Sequence, residues 1–130
     1  MANAEHVGNL RADVDKWNLW REDNREVIPD LSGADLARTD LRMANLNSAN
    51  LTNANLVMAN LAGADLRDAD LSGANLVGAR LIGVDLEGAT LQGTDLRTAE
   101  DLTVEQLAET KGDGATTLPE TTSRPDSWAS

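Results

Sequence analysis

The sequence predicts an all-β solenoid, in which short strand segments wind around a single apolar core. Three regularities between residues 31 and 96 indicate this fold. A leucine occupies every fifth position, fourteen times in succession. The residue two before it is Ala in ten repeats, and the residue directly before it is Asp or Asn in twelve, with Arg80 and Thr90 as the exceptions. Glycine stands two residues after the leucine in seven repeats.

A period of five fits neither a helix nor a flat strand. On an α-helix, residues five apart are rotated by about 140°, so the leucines would surround the cylinder. In a flat strand, an odd spacing would place them on alternate faces. A chain that turns a corner every five residues brings all fourteen inward, because Asp, Asn and Gly favour turns.

The pattern Ala-(Asp/Asn)-Leu-X-X, from Pro29 to about Ala99, resembles the pentapeptide-repeat family. The resemblance implies a right-handed quadrilateral β-helix with four repeats per coil, so fourteen repeats make about three and a half coils in residues 27–100. A short α-helix is expected to cap each end. Corner residues without Gly cluster early in the repeats and glycines late, which predicts a change of turn type along the solenoid.

Residues 1–26 are predicted to form an amphipathic capping helix, from Ala4 to about Asn24. Its apolar stripe would cover the backbone edge of the first coil, which otherwise could pair with another chain. A dedicated partner site is the alternative. His6, the only histidine, is expected to be exposed near the terminus. The residues of the stripe are Val7, Leu10, Val14, Trp17 and Trp20.

Residues 101–111 are predicted to hold a second capping helix, over Val104 to Thr110. Thr103 is a suitable N-cap, Gln106 completes a capping box, and Leu102 with Leu107 forms a hydrophobic staple. Lys111 and Gly112 suit the helix end.

Residues 112–130 read as an extended tail rich in Pro, Thr and Ser, and composition alone predicts that it is mobile. The segment also resembles a closing element that follows such repeats. We therefore hypothesise that Leu118 and Trp128 dock on the solenoid, on this chain or on a dimer mate.

The outward position after each leucine defines a candidate interaction strip on two adjacent faces. Three readings are open: β-branched residues that merely suit strands, a surface covered by the chain's own tail, or a dimer or partner surface. The strip comprises Val57, Val77, Ile82, Ala37, Ala62 and Met58.

No catalytic, cofactor-binding or metal-ligating constellation is found, so the sequence predicts no enzyme and no cofactor. The net charge of −11 argues against direct binding of nucleic acid or an anionic membrane. The absence of cysteine and of a leader-like or membrane-spanning segment favours a cytoplasmic protein.

Two functions are compatible with these features. The first is a non-catalytic scaffold or protein–protein interaction module, a monomer or homodimer with an unidentified protein partner. The second is a regulator of a topoisomerase such as DNA gyrase, because some pentapeptide-repeat proteins resemble duplex DNA in shape and charge. The charge favours the second function only weakly, since residues 29–100 hold ten acidic and five basic residues.

Overall fold

The computed structural model describes residues 2–128 and contains three helices: α1 (Ala4–Ala12), α2 (Val14–Asp23) and α3 (Val104–Leu107). Between α2 and α3 the chain winds in coils joined by parallel bridges. From Asp30 to Glu100 every bridge joins residues twenty apart, such as Asp30 with Asn50 and Arg80 with Glu100. Each coil therefore contains four repeats. The strand segments are single bridge residues, and residues 2–128 contain no longer strand.

All fourteen repeat leucines are at most 3% exposed and fill the centre of the coils, with the small residues of the preceding Ala position packed beside them. At roughly 2 kcal/mol per buried leucine, this core is the main stabilising contribution. Thr94 replaces Ala in one repeat and is fully buried, because its hydroxyl donates to the Leu71 carbonyl at 2.7 Å.

In twelve of the fourteen repeats the residue before the leucine is Asp or Asn, and its side chain accepts the one backbone N–H that bonds to no neighbouring coil and closes no corner. Within one repeat, two N–H groups donate to the next coil, one to the preceding coil, and one closes the corner; the fifth donates to the Asp or Asn side chain. In the repeat 51–55 these bonds run from Leu51 to Asp70, Asn53 to Ser72, Asn55 to Ala34, Ala54 to Leu51, and Thr52 to the Oδ1 of Asn50. The Asp/Asn preference is thus a hydrogen-bonding requirement.

One of the two exceptional repeats allows a test of this requirement. With Thr90 in the Asp/Asn position, residues 2–128 offer no such side-chain acceptor to the N–H of Gln92. We expect Thr90→Asn to supply it and raise the free energy of unfolding by about 1 kcal/mol, or the melting temperature by about 2–4 °C. Thermal denaturation measures this. Thr90→Val is the control, and equal stability of the two variants would contradict the explanation.

The predicted change of turn type along the solenoid is wrong. The corner residue has a positive φ between 57° and 75° in all fourteen repeats, with and without glycine. Four of the seven corner glycines instead make room for a side chain of the preceding coil: the thioether of Met58 occupies the space that a Cβ on Gly78 would need, and Met43 does the same at Gly63. A large corner residue in one coil thus favours glycine in the next.

The predicted N-terminal helix is two helices, because Asp13 has an extended backbone (φ −166°, ψ 113°). Its N–H donates to the Asn9 carbonyl at the end of α1, and its side chain accepts from the N–H of Lys16 at the start of α2. Asp13 therefore ends one helix and caps the next. This break lets the helices follow the edge of the first coil, which lacks a preceding coil to pair with.

Side chains of α1 and α2 replace the missing coil. Trp17 is fully buried and its Nε1 donates to the Asn45 carbonyl at 2.8 Å, while the Asn45 N–H donates to Oδ1 of Asn18 at 2.7 Å. The Asp30 N–H donates to Nδ1 of His6 at 3.1 Å. The expectation that His6 is exposed is wrong, since it is buried and packs 5.1 Å from Trp20. Leu10 is buried, and Val7, Val14 and Trp20 are partly buried against the core.

The C-terminal helix is shorter than predicted and ends at Leu107 rather than Thr110. Thr103 and Gln106 form the capping box, and the Gln106 amide also donates to the carbonyls of Leu81 and Val84. The helix stops because the chain rejoins the coils: the Lys111 N–H donates to Ala89, and the Leu91 N–H donates to Lys111.

The segment 112–128 is not an extended tail but continues the coils with a shifted register. Lys111 and Thr117 form bridges with Thr90 and Asp95, which places Leu118 in the leucine position after Thr117, half-buried against the core. Gly112 takes the equivalent position one face earlier, where the Trp128 ring occupies the space that its Cβ would need. Both docking residues thus contact this chain's own solenoid.

We expect Trp128→Ala to lower the free energy of unfolding by about 3 kcal/mol, because it removes a ring that is 6% exposed and whose Nε1 donates to Thr110. Deletion of 115–130 should lower it further, since the bridge at Thr117 is also lost. Denaturant unfolding measures both. An unchanged midpoint in both variants would show that the segment adds no stability.

Candidate functional site

The candidate strip lies where outward side chains of the second and third faces meet. Ile82 is 58% exposed and Met58 is 52% exposed, whereas the other four members are half-buried. The register of the coils fixes these positions, since the backbone N–H of the leucine before each outward residue donates to a carbonyl of the next coil. The strip is therefore a surface of fixed spacing rather than a set of independent side chains.

The chain's own C-terminal segment does not account for the strip. Hydrogen bonds between residues 112–128 and the rest of the described chain go to residues from Leu91 onward, so the segment covers the C-terminal end of the solenoid. Ile82 and Met58 remain more than half exposed beside it. Of the three sequence-based readings, coverage by the tail is wrong for these two residues.

Met43 is a member of the same surface that the sequence analysis missed. It is 68% exposed at a corner of the third face, and its side chain lies over Gly63, next to Ala62. The sequence contains the signal. Met43 and Met58 both stand two residues after a leucine, and each side chain lies over the glycine one coil later, Gly63 and Gly78.

Ion pairs border the strip at both ends. On the third face the Arg42 guanidinium donates to both oxygens of Asp40, at 2.9 and 2.7 Å. These hydrogen bonds lower the pKa of Asp40 to about 2. On the second face Arg97 pairs likewise with Asp95 and lowers the pKa of that carboxyl. An apolar centre with a charged border is the usual arrangement of a protein interface.

Carboxylates in the solenoid do not converge on a chemical site. Most belong to the position before leucine, where one oxygen is bound by the backbone N–H two residues later. Within the described residues, no group of three or more His, Cys, Asp or Glu could hold a metal ion. Likewise, no helix of residues 2–128 combines the length and the apolar character that a membrane span requires.

The five-residue register, the leucine core and the twenty-residue coil agree with a comparison against family models, in which pentapeptide repeats match residues 30–68 and 64–99 in eight copies. The chain belongs to the pentapeptide-repeat family. Pentapeptide-repeat proteins adopt a right-handed quadrilateral β-helix and are generally non-enzymatic structural or interaction proteins. The resemblance stated from the sequence is thereby confirmed.

Solved structures of this family resemble the chain. The pentapeptide repeat protein Rfr23 from the cyanobacterium Cyanothece 51142 is 35% identical over 65% of this chain and 56% of its own, with a TM-score of 0.57. The protein alr5209 from Nostoc PCC 7120 is 31% identical over 76% of this chain and 81% of its own, with a TM-score of 0.41. A pentapeptide repeat protein from the Arabidopsis thaliana thylakoid lumen is 27% identical over 69% and 58%, with a TM-score of 0.36.

The alignment therefore spans little more than half of the Rfr23 chain and of the Arabidopsis chain. A comparison with curated protein sequences gave no significant match.

Proposed function

We propose that this pentapeptide-repeat protein is a non-catalytic interaction module, which binds a protein partner or a second copy of itself through the apolar strip. The exposure of Ile82 and Met58 on a surface of fixed spacing supports this proposal. Exposed apolar groups in a continuous patch favour association because their burial removes apolar area from water. A cytoplasmic location stays a prediction from composition.

Lysine substitutions on the strip test the proposal. Val57→Lys with Val77→Lys would place charges at the centre of the strip. The fold should accept them, since Arg97 occupies the equivalent outward position of the same face. The matched control is Ser72→Lys with Gln92→Lys, which adds the same charge to the first face. We expect an affinity-purified partner, or a dimer seen by light scattering, to be lost in the strip variant and retained in the control.

The control also defines the contrary outcome. If the strip variant and the control retain the same partner and the same mass by light scattering, the strip is not the interface and the proposal is wrong. Circular dichroism of both variants should match that of the unmodified protein, which separates loss of binding from loss of fold.

A regulator of a topoisomerase such as gyrase is the second candidate, and the net charge of −11 supports it. Two features weigh against it. The five rungs from Asp30 to Lys111 span about 19 Å, the length of about six base pairs. Asp40, Asp65 and Asp95 are also paired with arginines and present little free charge. A gyrase supercoiling assay at low salt tests this candidate. If the protein does not inhibit supercoiling at about 10 µM, this candidate is excluded.

A further inference from the structure

A groove runs between α3 and the third and fourth faces of the solenoid, on a different surface from the centre of the strip. Its floor consists of Ile82, Val84, Leu86 and Leu102; Ile82 is 58% exposed and supplies the accessible apolar surface, whereas the other three are at most 8% exposed. Carboxylates stand on both sides of this floor. They are Asp85 and Glu87 from the fourth face, and Asp101, Glu105 and Glu109 from α3 and its flanks. We call this feature the acidic groove.

The charge of the acidic groove is only partly balanced by the protein. No Lys, Arg or His is among the residues that line it. Arg67 binds Asp65 at 2.8 Å, lies 3.9 Å from Asp85 and also attracts the carboxylate of Glu87. Within residues 2–128 the other four carboxylates form no ion pair. Five like charges around one groove repel each other, so a cationic occupant lowers the electrostatic free energy of this region.

The spacing of the carboxylates distinguishes between kinds of cation. In the described part of the chain no three acidic side chains approach closely enough to hold a metal ion. The charges instead follow the two walls of the groove with an apolar floor between them. This arrangement complements several separate cationic side chains that flank apolar ones, rather than one compact ion.

We propose that the acidic groove binds a segment of a protein partner that is rich in Lys and Arg and carries apolar residues between them. The cationic side chains pair with Glu87, Glu105 and Glu109 on the two walls, and an apolar side chain packs on Ile82. This surface can act with or without the strip, since only Ile82 belongs to both.

Fluorescence anisotropy with a labelled probe peptide tests this proposal. The probe has about twelve residues, rich in Lys and Arg with Leu between them, and its counterpart replaces each cation by Glu. We expect the cationic probe to bind the full chain at low salt and the acidic counterpart not to bind. We expect E87Q/E105Q/E109Q to raise the Kd about tenfold. E22Q/D23N/E26Q removes equal charge from α2 and its end, and should change the Kd less than twofold, about the effect of net charge alone.

Single apolar substitutions separate the groove from the strip. Ile82→Gln should weaken probe binding several-fold, whereas Val77→Gln, which alters only the strip, and Ile28→Gln, at another exposed site, should not. If the two charge-removing triple variants change the Kd equally, net charge alone explains the binding and the proposal is wrong. Displacement of the probe by Ca²⁺ where NaCl of the same ionic strength does not displace it, or no binding at low salt, would also overturn the proposal. The strip proposal survives each of these results.

Discussion

Replacement of Leu66 by Lys should unfold the protein or lower its free energy of unfolding by at least about 4 kcal/mol. Leu66 is fully buried near the middle of the coils, in one column with Leu46 and Leu86. The substitution removes the leucine packing and places an ammonium group where residues on all sides are aliphatic. Neighbouring coils cannot supply a partner, because the carboxylates of the repeats face outward in their corner bonds. Loss of the cooperative thermal transition by circular dichroism would be the readout.

Two variants control this experiment. Leu66→Met keeps most of the volume and should cost less than about 1.5 kcal/mol. Ser72→Lys introduces the same charge at an outward position and should leave the transition nearly unchanged. A Leu66→Lys variant as stable as Ser72→Lys would show that the leucine column is not the core, and the coil assignment would fail.

Trp17→Ala should produce the second large effect, about 3–5 kcal/mol in the stability of the N-terminal cap. Trp17 is fully buried, packs 5.2 Å from Trp20, and its Nε1 binds the carbonyl of Asn45. Its loss should detach α2 from the first coil and expose backbone groups that can pair with another chain. Hydrogen exchange measures this at the N–H groups of Asp30 and Asn45, whose acceptors belong to the N-terminal helices.

Leu19→Ala is the matched control, because Leu19 lies on the same helix and is 61% exposed. We expect protection at Asp30 and Asn45 to fall in Trp17→Ala and to persist in Leu19→Ala. We also expect Trp17→Ala to form larger species with concentration in size-exclusion chromatography. Equal protection in the two variants would contradict the role of the helices as a replacement for a missing coil.

The sequence predicts the two proposed surfaces to different degrees. The strip followed from counting outward positions, because the coil register transfers a sequence spacing directly to the surface. Met43 was overlooked because corner residues were treated as turn formers, although the positive φ directs their side chains over the next coil. The acidic groove was not predicted, since Asp85 and Glu109 are brought together only where α3 packs against the fourth face.

The sequence by itself determined the solenoid, its period and its core. One leucine per five residues can be buried only by a chain that turns at each repeat, and the Asp or Asn beside twelve of the leucines accepts the N–H that no coil or corner bond uses. These local requirements recur at a fixed interval of five residues, so they are visible as spacing.

Only the tertiary structure decided how the solenoid ends. At each end, the backbone edge of the last coil has no neighbouring coil to pair with. The break at Asp13, the burial of His6 and the Trp128 ring above Gly112 all occur at these edges. Such an edge occurs once at each end, and its partners come from residues far away in sequence. These end contacts do not appear as a sequence period, because the geometry of the folded coils decides which side chains can reach the unpaired backbone groups.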